Sequence, residues 1–563
     1  MEYAGYSKGI KMTDLLQKMR QDMARQNLDA VLVLKSDPFL SGYYPPYKNR
    51  LKEVTGFSGS DGVALVLKEK GVLFVDSRYT EQAKGETDFE VLEVPRDTRL
   101  SLWLKEYMRG KKIAFDGDVH SFMWYEMMMM QLKECDISFI ALDSKTLKNW
   151  FSVPAFKQKT FDYPLCYTGQ ATNDKMKQVQ RYLCEKELDV GLVLSAENTS
   201  WLLNLRDKKK SEYPVVYKRL IIKKEGDFEV LTSLNGLKNL SVGVDFNKAS
   251  YNLIQSLKQA GAKIINTPEM IDDLKAQKNG VEIQNIKQAC LFESQVICKF
   301  LAYVEKNKNH ITEMDCDKKL QSLRKKSPLY FCDSFQTIAA SGVHAALAHY
   351  MATDKTNIKV IENPLLLVDT GGHYLNGTTD MTRTIVVGEP SSLMKKRYTQ
   401  VLKGHIGVSK SSIKVGASSA SMDEKAHAYL RADGVDFYHS TGHGIGMMLG
   451  VHEWPPVVHG RDEKGILENM IFSNEPAYYS VEEKFGIRLE NMLLSVKKKE
   501  NLIFEDLLFI PFDYRAVDFD MLTMDEKQWL KEYHLKVFEM VFPLLTKREQ
   551  KILQPFVEAF VKG

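Results

Sequence analysis

The sequence predicts a multidomain protein of the α/β (α+β) class, with two related α/β domains, a larger α+β domain and a helical extension at the C-terminal end. Three observations predict it. A segment in which helical periodicity runs into an apolar strand occurs twice, at residues 13–34 and 175–194. Each copy is followed by a second apolar run closing on aspartate, Ile113-Ala114-Phe115-Asp116 and Val242-Gly243-Val244-Asp245. A chain of 563 residues also exceeds what one hydrophobic core supports.

The first copy ends in Leu28-Asp29-Ala30-Val31-Leu32-Val33-Leu34, a continuous apolar run of the kind buried strands carry. Its domain is expected to span 1–165. Met127, Met128, Met129 and Met130 fall on its second helix and read as a methionine-rich packing face, not a metal site. The second copy ends in Leu188-Asp189-Val190-Gly191-Leu192-Val193-Leu194 and belongs to a domain over 166–275. Pro268 and the polar stretch 275–280 mark a junction. Helical periodicity over 281–304 opens a third domain, 276–510, and 511–563 is the extension. Within it 524–561 reads as helical, with Thr523-Met524-Asp525-Glu526 as the N-cap signal.

Composition excludes several classes of function. Hydrophobic residues at 44% and charged residues at 27% are ordinary for a soluble globular chain. The net charge of +4, with both signs interspersed, leaves no basic footprint for nucleic acid. The Lys208-Lys209-Lys210 run is flanked by Asp207 and Glu212 and reads as a solvated loop. Seven cysteines without a CxxC pair argue against a disulfide framework or zinc ribbon and fit a reducing compartment. The first residues lack a basic region followed by an apolar run, and no apolar stretch nears the ~20 residues of a membrane helix. The expectation is a cytoplasmic protein without a nucleic-acid or membrane partner.

The third domain holds the informative chemistry. The buried-strand run Leu365-Leu366-Leu367-Val368 ends on Asp369. Asn376-Gly377 then signals a hairpin, and Thr378-Thr379-Asp380 leads into Thr384-Ile385-Val386-Val387. Asp369 and Asp380 are therefore expected on neighbouring strands, in a register that a bulge at Thr378-Thr379 would shift. An aspartate at the end of an apolar strand is costly to bury, and two on one hairpin favour a cation. Farther on come His439-Ser440-Thr441-Gly442-His443-Gly444, Val451-His452-Glu453, Ser473-Asn474-Glu475-Pro476 and Gly486-Ile487-Arg488-Leu489-Glu490-Asn491. The glutamates sit in or beside strand-like sequence, where acidic residues are depleted. Four carboxylates and an imidazole make a hard, oxygen-rich donor set, suited to Mn²⁺ or a similar ion. Four negative charges balance two divalent cations, and such a pair can clamp a hydrolytic transition state.

These residues resemble, in order and nearly in spacing, the Xaa-Pro aminopeptidases (aminopeptidase P) of the creatinase and methionine-aminopeptidase, or pita-bread, fold. The resemblance to the long three-domain cytosolic type covers essentially the whole chain. It takes in Thr55-Gly56-Phe57-Ser58-Gly59-Ser60, Asp76-Ser77-Arg78-Tyr79, Trp201-Leu202-Leu203-Asn204-Leu205-Arg206 and the tail from Phe504 through Tyr533-His534-Leu535. It implies two creatinase-like N-terminal domains and a pita-bread catalytic domain. It makes Asp369 a ligand of one metal, Asp380 and Glu490 bridging ligands, and His443 and Glu475 ligands of the second. It places His349, His439 and His452 in the active site and Arg78 against the peptide, and it implies a homodimer. Asn376, Ala477, His344 and a longer loop between Glu475 and Glu490 depart from the family pattern, and none removes a ligand.

Several roles follow from that resemblance. Glu475 would relay the proton of a bridging water, and His349 or His452 would stabilise the oxyanion. An Xaa-Pro bond lacks an N–H and fixes φ, so it needs a dedicated pocket, with His439, His452 and Tyr479 as lining. Arg488 would either orient Glu490 or contact the peptide. His373 and His405 are expected to be structural or exposed. The expected substrates are peptides with proline in second position. The rival readings are an Xaa-Pro dipeptidase on the same metal pair and a peptide-binding scaffold that has lost catalysis.

Overall fold

The computed structural model describes residues 12–41, 49–76, 78–93, 99–151 and 157–562. The chain forms two compact units, Met1–Lys159 with Asn173–Leu203 and Val216–Ile271, and Thr160–Thr172 with Asn204–Val215 and Asp272–Gly563.

The first unit contains both expected sheets. In one, the central strand Ala30–Leu34 pairs antiparallel with Val63–Leu67 and parallel with Lys112–Phe115, which is followed by the parallel strand Ser138–Ala141. In the other, Val190–Val193 pairs antiparallel with Leu220–Lys223 and parallel with Ser241–Val244, followed by Lys263–Asn266. The repeated Leu-Asp step has a repeated purpose. Asp29 accepts from the Lys112 amide and the Lys68 ammonium, each at 3.0 Å. Asp189 accepts from the Ser241 amide and the Lys224 ammonium, each at 2.9 Å. Each carboxylate thus ties the start of its central strand to the next parallel strand.

The two halves meet through reciprocal backbone bonds around an antiparallel bridge between Ser121 and Ser250. The Phe122 amide donates to Ala249 O and the Tyr251 amide to His120 O. The Met123 amide donates to Phe246 O and the Asn252 amide to Gly117 O. Each bond has its mate under exchange of the halves, which is the signature of an isologous contact.

The methionine run meets the first unit's core at one point only. On the helix Phe122–Gln131, Met128 is buried, whereas Met127, Met129 and Met130 are exposed. Successive residues point about 100° apart on a helix of 3.6 residues per turn, so a run of four cannot share one face.

The second unit is built of mixed sheets and long helices. Its strand β1 (Leu365–Thr370) pairs antiparallel with β2 (Met381–Val386), Asp369 standing opposite Thr382. The Asn376-Gly377 turn closes a smaller hairpin, Gly372–Tyr374 with Gly377–Thr378, that pairs outward with Tyr330–Asp333 instead of continuing the ladder. A six-stranded sheet includes β3 (Gly442–Gly444), β4 (Ile471–Asn474) and β6 (Asn491–Lys498), while β5 (Phe485–Arg488) pairs with Ala477–Ser480. The helix Gly280–Asn307, where periodicity over 281–304 predicts one, starts on an Asn279–Glu282 capping box. The extension carries the α-helices Met524–Met540 and Lys547–Lys562, and the first begins on the Thr523–Glu526 capping box. Among the described residues no helix is long and apolar enough to cross a membrane.

Burial of a single methionine in the run has a measurable consequence. Met128→Ala should cost about 2–3 kcal/mol in urea unfolding of this unit, and Met130→Ala less than about 0.5 kcal/mol. Equal losses would place the whole run in the core.

Candidate metal centre

Strand periodicity assembles the site. Side chains two residues apart share a face, so Asp380, two residues before Thr382, faces the same way as Asp369 opposite it. Glu490 lies between β5 and β6. Its amide donates to Thr382 O at 3.0 Å, and its Oε2 accepts from Thr382 Oγ1 at 2.7 Å. Glu475 follows β4, with its amide on Thr441 O at 2.8 Å and its Oε1 accepting from Ser473 Oγ at 3.0 Å.

His443 sits on β3, and its Nδ1–H donates to Gly444 O at 2.9 Å. That hydrogen bond leaves Nε2 facing Asp380 Oδ2 at 3.5 Å and Glu475 Oε1 at 3.4 Å. Gly442 permits this placement, because a Cβ there would run into the Ser473 carbonyl oxygen. One donor atom each from Asp380, His443 and Glu490 lies within 4.8 Å of the others.

The electrostatics are those of negative charge crowded out of water. Burial pushes Asp369 up to about 6 and Glu475 up to about 7, in both cases against a nearby cation, Arg488 and His443 respectively. Burial, then the charges of Asp380, Glu475 and Asp369, pushes Glu490 well above the carboxylate range. Burial opposes the imidazolium of His443, yet its hydrogen bond to Asp380 and the charge of Glu475 carry it up to about 9. Asp369 Oδ1 is buried without a hydrogen-bond partner. An orphaned carboxylate oxygen, three further carboxylates and an imidazole nitrogen aimed among them fit divalent cations.

Arg488 is buried and donates to Asp369 Oδ2 at 2.6 Å, to Thr382 Oγ1 at 3.0 Å and to the Tyr479 hydroxyl. Tyr479 in turn reaches His439 Nε2 at 3.1 Å, and His439 Nδ1–H donates to Ser440 O at 2.9 Å. A hydrogen-bonded chain therefore links His439 to Asp369, with Arg488 donating towards both ends. The rings of His452 and His443 are 4.2 Å apart. His349 is half-buried on the turn after the short 3₁₀ helix Gly342–Ala346, and Arg488 Nη1 lies 3.4 Å from Ala348 O of that turn.

Arg78 belongs to the first unit and forks onto Asp76 at 2.9 and 2.6 Å. His344, one of the departures, donates from Nδ1 to buried Glu313 at 2.8 Å and stacks on Tyr350 at 4.1 Å, which anchors the turn carrying His349. His373 and His405 are both fully buried, and burial holds them down at about 4 and about 3 respectively.

Sequence reasoning missed Thr382 and Ser473. The signal was present, since each lies two residues from a candidate ligand on strand-like sequence and must share its face. Arg488 bears the same relation to Glu490, but the carboxylate it pairs with is Asp369.

A crowded centre of acids and one histidine, held within the mixed-sheet second unit, defines a metallopeptidase of the pita-bread fold. The metallopeptidase family M24 model matches residues 284–497, and a model of its C-terminal region matches 500–555. Creatinase/prolidase N-terminal domain models match 16–147 and 153–235. Xaa-Pro aminopeptidase 2 of Sus scrofa is 30% identical over 587 residues, covering 96% of this chain and 87% of the relative. Xaa-Pro aminopeptidase 1 of Dictyostelium discoideum is 27% identical, over 96% of this chain and 94% of the relative. The crystal structure of the Caenorhabditis elegans X-prolyl aminopeptidase, described as a cytosolic enzyme with a di-nuclear active site, aligns with a TM-score of 0.89 at 26% identity, over 98% of this chain and 99% of that one. The chain belongs to the Xaa-Pro aminopeptidases of family M24 and is a hydrolase.

Two outcomes follow from the geometry. Gly442→Ala should cost about 1–3 kcal/mol by overpacking against β4 and lower activity by displacing His443. In the metal-free protein the donors hold protons below about 6, 7 and 9 for Asp369, Glu475 and His443. Metal requires them deprotonated, so affinity should rise with pH through that window as protons are released. Calorimetry in buffers of different ionisation enthalpy measures the release, and pH-independent affinity would contradict this electrostatic account.

Proposed function

We propose that the protein hydrolyses the bond between an N-terminal residue and a proline in second position, releasing the free amino acid. The observation that carries this reading is the convergence of Asp380, His443 and Glu490 on one point, with Glu475 against the same imidazole and Asp369 bearing an orphaned oxygen.

In this reading Asp369, Asp380, His443, Glu475 and Glu490 hold two divalent cations, taken as Mn²⁺ on the oxygen-rich donor set. When bound, such a pair supplies a water of lowered pKa and positive charge for the scissile carbonyl. Glu475 accepts a proton and returns it to the leaving proline nitrogen. Ser473 holds one of its oxygens, so proton exchange occurs at the other. Asp369, kept in place by Arg488, attracts the free α-amino group, which restricts cleavage to the terminal bond. His349 or His452 donates to the developing oxyanion. His439, oriented by Tyr479, lines the proline pocket, and Arg78 contacts the peptide. The resemblance also supports a cytoplasmic homodimer.

Metal-stripped protein resupplied with Mn²⁺ should release free arginine from Arg-Pro-Pro and act weakly on the dipeptide Gly-Pro. Preference for Gly-Pro would move the assignment to an Xaa-Pro dipeptidase. Asp380→Ala should abolish metal binding and turnover together, and full activity in that variant would sink the assignment.

A further inference from the structure

The second unit buries a guanidinium that the metal centre does not use directly. Arg383 is 2% exposed and has no carboxylate within ion-pair distance among the described residues. Its Nη1 donates to Thr382 O at 2.9 Å and Glu490 O at 2.6 Å. Its Nη2 donates to Asn491 Oδ1 at 2.8 Å, Ile510 O at 2.9 Å and the Tyr533 hydroxyl at 3.1 Å. The guanidinium lies 4.5 Å from the centre of the Phe512 ring. The nearest counter-charge, Asp506, is reached only through the Asn491 side chain, whose Nδ2 donates to it at 2.8 Å, so oriented dipoles replace water around the buried cation.

Those dipoles come from three places. Thr382 is the β2 residue that holds the Glu490 carboxylate, and Glu490-Asn491 is the ligand's own peptide. Tyr533 belongs to the C-terminal extension, and Ile510 is the last residue before it. The Tyr533 hydroxyl also receives the Ile510 amide at 3.1 Å and Asn491 Nδ2 at 3.3 Å, and it donates to Leu508 O or Ile510 O, both at 3.0 Å. A phenol has one proton and two lone pairs, so three donors share the two acceptor positions and no capacity is left over. Its ring stacks on Trp529 at 5.3 Å, and the neighbouring His534 accepts from the Phe512 amide.

We infer that the first helix of the extension is part of the metal centre, with Tyr533 a positioning residue that acts through Arg383 to fix the Glu490 backbone. A carbonyl held by a guanidinium fork fixes its peptide plane and so the direction in which the Glu490 side chain leaves the chain. This inference rests on Glu490 being a metal ligand.

The test titrates metal-stripped full-length protein with Mn²⁺ by calorimetry. Tyr533→Phe, which keeps the stack on Trp529, should weaken binding about tenfold, and kcat on Arg-Pro-Pro should fall with KM little changed. Arg383→Lys should do the same, and combining the two should weaken binding no more than Arg383→Lys alone, because both break one link. Leu530→Ala, a buried apolar residue of the same helix, should lower thermal stability and leave Mn²⁺ affinity within twofold. Wild-type affinity in Tyr533→Phe, or equal weakening in Leu530→Ala, would overturn the inference. Failure of the wild type to bind Mn²⁺ would instead overturn the metal reading.

Discussion

Four carboxylates confined to one buried pocket are the constraint on which the catalytic unit depends. Each raises the cost of ionising the others, and burial raises it further. The surroundings answer group by group. Arg488 neutralises one oxygen of Asp369, Thr382 donates to Glu490, Ser473 donates to Glu475, and the imidazole of His443 lies between Asp380 and Glu475. None of these supplies four positive charges, so the pocket is pre-strained toward cations. Removing one neutral donor would leave a charge less well solvated, which is why polar residues behind a ligand matter as much as the ligand.

Backbone pairing delivers that chemistry with little freedom. The β1–β2 register sets Asp369 against Thr382 and thereby places Asp380 on the same face. The Glu490 amide on Thr382 O joins the third carboxylate to the same ladder. A slip of one residue would turn these side chains to the opposite face of the sheet. The buried arginines divide the work. Arg488 compensates charge inside the pocket, whereas Arg383 organises carbonyls behind it.

The strands and ligands were legible because their signals are local. Apolar runs closing on aspartate marked β1 and the parallel strands of the first unit, and the Thr523–Glu526 capping box was readable letter by letter. The methionine run misled, since apolar composition says nothing about which of four successive helical positions meets the core. The small hairpin at Asn376-Gly377 was legible as a turn, but its outward pairing with Tyr330–Asp333 depends on a strand some forty residues away. The links from Arg488 to Asp369 and from Arg383 to Tyr533 span more than a hundred residues, and no local pattern encodes them.

The reciprocal bonds around Ser121 and Ser250 have the form of a contact between two identical subunits, yet both sides lie on one chain. Covalent linkage changes what such a contact demands. The halves meet at high effective concentration whatever the amount of protein, so the contact needs no affinity of its own to persist. A substitution on one side is also no longer copied to the other. Each half is free to diverge under its own requirements, while the Leu-Asp clamps, the serine bridge and the pairing of the central strands still bear the common pattern.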